Sequence, residues 1–227
     1  MSAAPDLARY IDHTLLAPAA TADEIDRLCD EAVEHRFMAV CVNPTWVRRC
    51  AARLDGSDVR VCTVIGFPLG ATTTATKVGE AVEVAELGAT ELDMVLNVGA
   101  LRSGDRAAAG DDIAAVVAAG HGAGALVKVI LETVLLTDDE KVSAARLAVA
   151  AGADFVKTST GFGGGGATTH DVALLRETVG RDVGVKASGG VRSREAAQDM
   201  IVAGASRLGT SSGIAIVTDA DAHDADY

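Results

Sequence analysis

The stretch DFVKTSTGFGGGG, residues 154–166, joins a short apolar run, a lysine and a glycine-rich loop. The same order recurs in VGVKASGG at 183–190, and a third run, LVKVIL at 126–131, also carries a lysine. Short apolar runs of this kind are typical of buried parallel strands. An ammonium group is costly to bury, and a buried lysine can become a nucleophilic amine. Three lysines on three such strands therefore predict an enzyme that works through lysine chemistry.

Eight short β-type runs alternate with helical, alanine-rich segments along the chain. Thr21–Glu24 and Thr137–Glu140 have the pattern of capping boxes that begin two of these helices. The eight runs are Tyr10–Thr14, Ala39–Asn43, Val59–Ile65, Glu91–Asn97, Leu126–Glu132, Asp154–Ser159, Val183–Ser188 and Ser206–Thr210. Eight such units predict an α/β fold, the (β/α)₈ TIM barrel, with an open doubly wound sheet as the alternative. We expect a single domain over residues 1–227 that ends in a short polar tail, about 218–227.

Composition limits the classes of partner. The net charge of −12 argues against nucleic acid and anionic membranes, which bind basic surfaces. The N-terminus has no apolar signal-peptide core, and no apolar stretch is long enough to span a membrane. The cysteines at 29, 41, 50 and 62 lack C-x-x-C spacing, so we expect free thiols and a cytoplasmic protein. A homo-oligomer, most simply a dimer, is the expected assembly.

Strand alternation predicts which side chains point into the barrel. Asp93 lies between Leu92 and Met94, so it faces away from that apolar face. By the same rule Lys128, Lys157 and Lys186 point inward, and Asp12 and Cys41 could join them. Lysines 157 and 186 are 186 − 157 = 29 residues apart, about one strand–helix repeat, which predicts adjacent strands. The alternative is a set of core lysines neutralised by carboxylates, although buried ion pairs are costly.

Three glycine-rich loops follow the last three runs. They are residues 161–166, 188–192 and 209–213. Glycine lets a phosphate approach backbone N–H groups, and TIM barrels often bind phosphate after strands 7 and 8. The alternative is ordinary tight turns between strand and helix. The match of 161–166 to a dinucleotide fingerprint carries little weight in so glycine-rich a loop. No histidine pair has metal-ligand spacing, so we expect no metal site.

Taken in order, these segments resemble the deoxyribose-phosphate aldolase family. The resemblance runs from Tyr10 to Ser212 through IDHTLL (11–16), AVCVNP (39–44), TVIGFPLG (63–70), ELDMVLNVG (91–99), VKVILET (127–133), DFVKTSTGF (154–162), VKASGGVR (185–192) and LGTSS (208–212). Each motif is weak alone, and their joint order makes the match specific.

The resemblance implies a class I aldolase that cleaves 2-deoxy-D-ribose 5-phosphate reversibly to acetaldehyde and D-glyceraldehyde 3-phosphate, without a cofactor. It implies that Lys157 forms the Schiff base, that the positive charge of Lys186 helps Lys157 to react as a neutral amine, and that Asp93 transfers protons. The expected supporting residues are Asp12, Cys41, Lys128, Thr158 and the C-terminal Tyr227. The expected phosphate contacts are Gly161, Gly189, Gly190, Gly209, Ser211 and Ser212.

Two alternatives stay open from the sequence. Another lysine aldolase or a transaldolase would share the amine chemistry and differ in its donor substrate. A non-catalytic phosphate-binding barrel would form no covalent adduct with any aldehyde.

Overall fold

The computed structural model describes residues 6–219, which contain a closed parallel barrel. Its strands follow chain order, and the first pairs with the last. They are β1 Ile11–Leu15, β2 Ala39–Val42, β3 Arg60–Ile65, β4 Glu91–Val95, β5 Leu126–Ile130, β6 Phe155–Lys157, β7 Gly184–Ser188 and β8 Arg207–Thr210. The predicted TIM barrel is confirmed, and the open-sheet alternative is wrong because β1 and β8 close the ladder.

Helices surround the barrel and connect its strands. Within residues 6–219 they are α1 Ala22–Glu34, α2 Val47–Arg53, α3 Thr74–Glu86, α4 Val98–Arg102, α5 Arg106–Gly122, α6 Asp138–Ala150, α7 Thr169–Val179, α8 Arg194–Val202 and α9 Gly213–Thr218. None of them is long and apolar enough to cross a membrane. The predicted capping boxes at Thr21 and Thr137 both form.

Three strands end two residues earlier than the sequence predicted. Strands β4, β5 and β6 each stop two residues before the apolar run does. The last residues of two of these runs lie outside the strand. Asn97 caps α4 through its side chain, and Glu132 adopts a left-handed backbone conformation. A hydrophobic run predicts which residues are buried, and it does not show which of them form hydrogen bonds to the neighbouring strand. It therefore cannot predict where a strand ends.

The two faces of the barrel strands carry different side chains. Outward residues such as Leu92, Met94 and Val129 pack with buried residues of the helices in the main core. Inside, the part formed by β2 and β3 is small and apolar, with Ala39, Cys41, Cys62 and Val64 in one cluster. The charged residues described below come from β1 and from β4–β8.

Loss of the α6 cap tests how this helix begins. The Thr137 hydroxyl accepts a hydrogen bond from the N–H of Glu140, which otherwise has no partner in the first turn. Thr137→Ala should lower the free energy of unfolding by about 1 kcal/mol in urea titrations. Thr137→Ser, which keeps the hydroxyl, should stay close to the original protein, and so should Thr169→Ala on exposed α7 surface. Equal losses in all three variants would contradict the role of the cap.

Candidate active site

One carboxylate, that of Asp93, binds three ammonium groups inside the barrel. Its Oδ1 accepts from Lys128 Nζ at 2.8 Å. Its Oδ2 accepts from Lys157 Nζ at 2.9 Å and from Lys186 Nζ at 2.8 Å. All four side chains are almost completely buried. The predicted inward-facing set therefore meets at one point.

Strand register brings these residues together. Asp93 lies opposite Lys128 across β4 and β5, and Lys157 lies opposite Lys186 across β6 and β7. The predicted placement of the two lysines on adjacent strands is confirmed. Side chains at register positions point to the same face, so each strand pair supplies two charged groups to the interior.

A second group of charges lies beside the first. Arg207 Nη1 is 2.6 Å from Asp12 Oδ1 and 3.1 Å from Glu91 Oε2. Lys128 Nζ is also 2.6 Å from Glu91 Oε2. The ring of Phe155 faces both cations, 5.4 Å from the Arg207 guanidinium and 5.9 Å from Lys128 Nζ. This interior network is continuous from β1 through β4 to β8.

The sequence interpretation missed Arg207 and did not single out Glu91 as a member of this network. Alternation along β4 places Glu91 on the same face as Asp93, and the same rule applied to β8 would have identified Arg207. Glu91 precedes Asp93 by two residues on β4, and Arg207 precedes the outward Leu208 on β8.

The carboxylates are held in their charged form. Burial disfavours the anion of Asp93, but the ammonium groups of Lys128, Lys157 and Lys186 outweigh it, so the pKa of Asp93 lies well below its ordinary value. Burial is likewise outweighed at Asp12, whose pKa is lowered mainly by the charge of Lys186. Asp93 therefore stays anionic throughout the physiological range.

Lys186 is held as a cation. Burial alone would lower its pKa, but the carboxylates of Asp12 and Asp93 raise it well above its ordinary value. Burial is also outweighed at Lys128, where Asp93 is the largest opposing charge and raises the pKa. Both lysines supply fixed positive charge.

Lys157 differs from the other two lysines in its contacts. Lys128 and Lys186 each bind two carboxylates, whereas Lys157 binds Asp93 alone among the described residues. It is the last residue of β6, at the end of the barrel where the glycine-rich loops begin. Of the three lysines, it is the one with measurable exposure, 1% against 0%.

The charge balance of the interior singles out the same residue. Among the inward side chains of the described barrel strands, the buried cations are Lys128, Lys157, Lys186 and Arg207, and the buried carboxylates are Asp12, Glu91 and Asp93. Cations outnumber carboxylates by one in this set. Lys157 takes part in one of its ion pairs, whereas Lys128 and Lys186 each take part in two.

The predicted supporting residues lie in different places. Cys41 is buried opposite Cys62, and it is the Cys62 thiol that donates to Asp93 Oδ1, at 3.2 Å. The Thr158 hydroxyl bonds the carbonyl and the N–H of Ser188, both at 3.1 Å, and so links the two lysine strands. Tyr227 lies outside the described residues.

The loops predicted to bind phosphate meet at one end of the barrel. Gly189 and Gly190 have φ values of 87° and 79°, which favour glycine. A Cβ on Gly166 would lie 2.3 Å from the Gly189 carbonyl oxygen, so the loops after β6 and β7 are in backbone contact. The Ser212 hydroxyl is buried and has no hydrogen-bond partner within residues 6–219. Gly161 also has positive φ, at 90°.

Gly209 has a packing role as well. A Cβ there would lie 3.0 Å from Lys186 Cε and 2.9 Å from Ser188 Oγ. The glycine therefore leaves space for the Lys186 side chain. Ser211 lies near the mouth, where it lines a surface cavity with His13 and Thr14.

The structure brings together side chains of metal-ligating types that sequence spacing did not reveal. Cys41, Cys62 and Asp93 form one such group, and Asp12, Cys62 and Glu91 form another. Their carboxylates already accept hydrogen bonds from lysine and arginine. A third group, Asp138, His170 and Asp171, lies outside the barrel, where both aspartates bind the Lys141 ammonium and His170 binds Asp138.

Comparison with known proteins agrees with this geometry. Residues 7–219 match the family described as DeoC/LacD family aldolase. The chain belongs to this family. A deoxyribose-phosphate aldolase of Brevibacillus brevis is 65% identical over 93% of this chain and 95% of its own length. One from Bacillus cereus is 59% identical over 97% of this chain and 98% of its own.

Solved structures of family aldolases have the same fold. A tetrameric deoxyribose phosphate aldolase from Aeropyrum pernix superposes with a TM-score of 0.88 at 37% identity, covering 94% of this chain and 90% of that one. The aldolase QR15 superposes with a TM-score of 0.90 at 41% identity, covering 94% and 95%.

The ion pairs of Asp12 make a prediction about acid stability. Because its pKa is lowered from about 3.8, its stabilisation is fully present above that pH and is lost as the pH falls further. Asp12→Asn should lower the free energy of unfolding at pH 7 by about 3 kcal/mol, because Lys186 and Arg207 lose a buried partner. In urea titrations between pH 7 and 3 this difference should shrink only below about pH 4.

The matched control is Asp55→Asn, at an exposed position. It should change stability by less than about 0.5 kcal/mol at every pH. A difference for Asp12→Asn that is the same at pH 3 as at pH 7 would contradict the depressed pKa.

Proposed function

We propose that this protein is a deoxyribose-phosphate aldolase that acts through a Schiff base on Lys157. It reversibly cleaves 2-deoxy-D-ribose 5-phosphate to acetaldehyde and D-glyceraldehyde 3-phosphate. The observation that carries the proposal is a lysine at the open end of a barrel strand, paired with one shared carboxylate and flanked by a fixed cation. The named relatives, which match over nearly the whole chain, support the same reaction.

The chemistry begins with the neutral amine of Lys157. It attacks the aldehyde carbon of the open-chain sugar, and loss of water gives an iminium ion. The iminium accepts the electron pair of the C2–C3 bond when that bond breaks, and the C3 hydroxyl loses its proton and becomes the aldehyde of glyceraldehyde 3-phosphate. The remaining enamine gains a proton on carbon, and water releases acetaldehyde.

Asp93 and Lys186 are the proposed proton-handling pair. Asp93 is within hydrogen-bond reach of Lys157 Nζ, where protons must be lost and regained as the carbinolamine forms and collapses. Lys186 bonds the same Oδ2 atom at 2.8 Å. It therefore places a second ammonium group beside the Lys157 amine, on the same carboxylate oxygen. Asp12 holds Lys186 from the opposite side.

The phosphate end of the substrate is assigned to the loops after β6, β7 and β8. Backbone N–H groups at Gly189 and Gly190, together with the Ser212 hydroxyl, are the proposed contacts, with Gly161, Gly209 and Ser211 in the same loops. A buried hydroxyl that lacks a partner within residues 6–219 supports a ligand at Ser212.

We further propose a cytoplasmic location and a homo-oligomeric assembly. Four buried free cysteines suit a reducing compartment. The tetramer of the Aeropyrum pernix relative supports oligomerisation, with a dimer as the simplest form here.

Borohydride trapping tests the nucleophile directly. With acetaldehyde and borohydride, peptide mass mapping should find the reduced adduct on Lys157. Lys157→Arg should abolish the adduct and lower activity by roughly 10⁴-fold or more, because a guanidinium stays protonated and forms no imine. Activity of the original protein should survive EDTA.

Lys141→Arg is the matched control, because Lys141 pairs with Asp138 and Asp171 outside the barrel. It should keep both adduct and activity. Recovery of the adduct mainly on Lys128 or Lys186 would overturn the assignment of Lys157, and the absence of any adduct would favour a non-catalytic barrel.

Replacing Ser212 tests the phosphate site. Ser212→Ala should raise KM for deoxyribose 5-phosphate by about 10-fold, since one hydrogen bond to a charged group is worth about 1.5–3 kcal/mol. The kcat/KM for unphosphorylated deoxyribose should change by less than about 2-fold. Steady-state kinetics with both substrates give the comparison, and equal losses on the two would place Ser212 outside the phosphate site.

A further inference from the structure

Glu132 has an unusual backbone next to the active site. It lies two residues after the end of β5, with φ 57° and ψ 64°, and its side chain is buried, with the residue 3% exposed. A left-handed conformation is uncommon for any residue with a Cβ and costs free energy that other contacts must offset. Neither the barrel ladder nor the lysine network uses this side chain, so its contacts indicate another role.

The carboxylate of Glu132 holds Thr160, the residue just before the glycine-rich loop 161–166. It accepts from the N–H of Thr160 at 3.3 and 3.4 Å and from the Thr160 hydroxyl. The Thr160 hydroxyl oxygen in turn accepts from the N–H of Phe162 at 3.0 Å. Glu132 forms no ion pair within residues 6–219, and its hydrogen-bond donors are the neutral N–H and hydroxyl of Thr160.

The loop also lies directly against the carboxylate. A Cβ on Gly163 would be 2.7 Å from Glu132 Cδ and 2.9 Å from its Oε2. No side chain fits between the loop and Glu132, and the glycine at 163 permits this approach.

The far end of the same loop touches the proposed phosphate site. Ala167 N–H donates to the Gly189 carbonyl at 3.0 Å. Gly166 and Gly189 are in backbone contact, as a Cβ on either would clash with the other. A continuous series of contacts therefore runs from Glu132 through residues 160–167 to the loop after β7.

We propose that Glu132 is a positioning residue for phosphate recognition. By holding Thr160 and supporting Gly163, it sets the path of the 160–167 loop and thereby the position of the Gly189 backbone that receives the phosphate. The proposal rests on the proposed function, since it assigns Glu132 to the phosphate end of that reaction. A rival role exists because Glu132 also lines a cavity of about 90 Å³ beside Pro68 and Phe162, where a carboxylate could exchange protons.

Paired substitutions distinguish the two roles. Glu132→Gln keeps an oxygen for the Thr160 N–H and cannot act as a base, whereas Glu132→Ala removes every contact. Glu132→Ala should weaken binding of inorganic phosphate to the free protein, measured by calorimetry, by about 10-fold or more. It should raise KM for deoxyribose 5-phosphate by a similar factor, while kcat and the kcat/KM for unphosphorylated deoxyribose stay within about 3-fold. Glu132→Gln should stay within about 3-fold in all four measurements.

Gly163→Ala gives an independent route to the same effect if Glu132→Ala fails to fold. The added methyl group would press against an intact Glu132 carboxylate, so it should weaken phosphate binding without removing the carboxylate. Gly122→Ala is the matched control, because a Cβ there meets nothing within 4 Å, and it should behave as the original protein.

Equal losses on phosphorylated and unphosphorylated substrates would overturn the proposal, and so would a Glu132→Gln variant as impaired as Glu132→Ala. Borohydride trapping separates this failure from failure of the proposed function. If the original protein traps acetaldehyde on Lys157 and Glu132→Ala binds inorganic phosphate normally, the positioning role alone is wrong. If the original protein traps nothing, the aldolase assignment fails, and the phosphate titration still decides the role of Glu132.

Discussion

The sharing of one carboxylate by three ammonium groups is the interaction on which the rest of this structure depends. Asp93 offers two oxygens to Lys128, Lys157 and Lys186 in a space closed to water. Removing a charge from water costs several kcal/mol unless close partners compensate. The register of the strands offsets this cost, because it brings each buried cation next to a carboxylate.

The division of the barrel interior follows from that requirement. Inward side chains from β2 and β3 are small, with Cys41, Cys62 and Val64 beside the charged part. Cys62 also donates to Asp93, so the boundary between the halves is itself hydrogen-bonded. At the end of the barrel where the glycine-rich loops lie, two glycines leave space for charged side chains. Gly209 leaves room for the Lys186 side chain, and Gly163 leaves room for the Glu132 carboxylate. The strands therefore fix the positions of the charged side chains, and the loops determine the space around them.

Much of this could be predicted from one sequence because strand periodicity is local. Alternation placed Asp93 and the three lysines on the inner face, and the 29-residue spacing placed Lys157 beside Lys186, as the register confirms. The same alternation places Glu91 on the face of Asp93, and it would have identified Arg207 had it been applied to β8. The early ends of β4, β5 and β6 could not be predicted, because leaving a ladder depends on contacts from other segments. The proposed roles of the site residues remain predictions, and Tyr227 lies outside residues 6–219.

The sequence by itself determined the number of strand–helix units, the inward direction of the charged side chains and the family, since each depends on local pattern or on motif order. Only the tertiary structure decided how the charges pair. That Lys157 binds one carboxylate while Lys128 and Lys186 bind two depends on distances across the barrel between β1, β4 and β7. The left-handed backbone of Glu132 and its contact with Gly163 were likewise invisible in the chain. Both features form where loops that follow different strands come into contact. The periodicity of the sequence contains no information about such contacts.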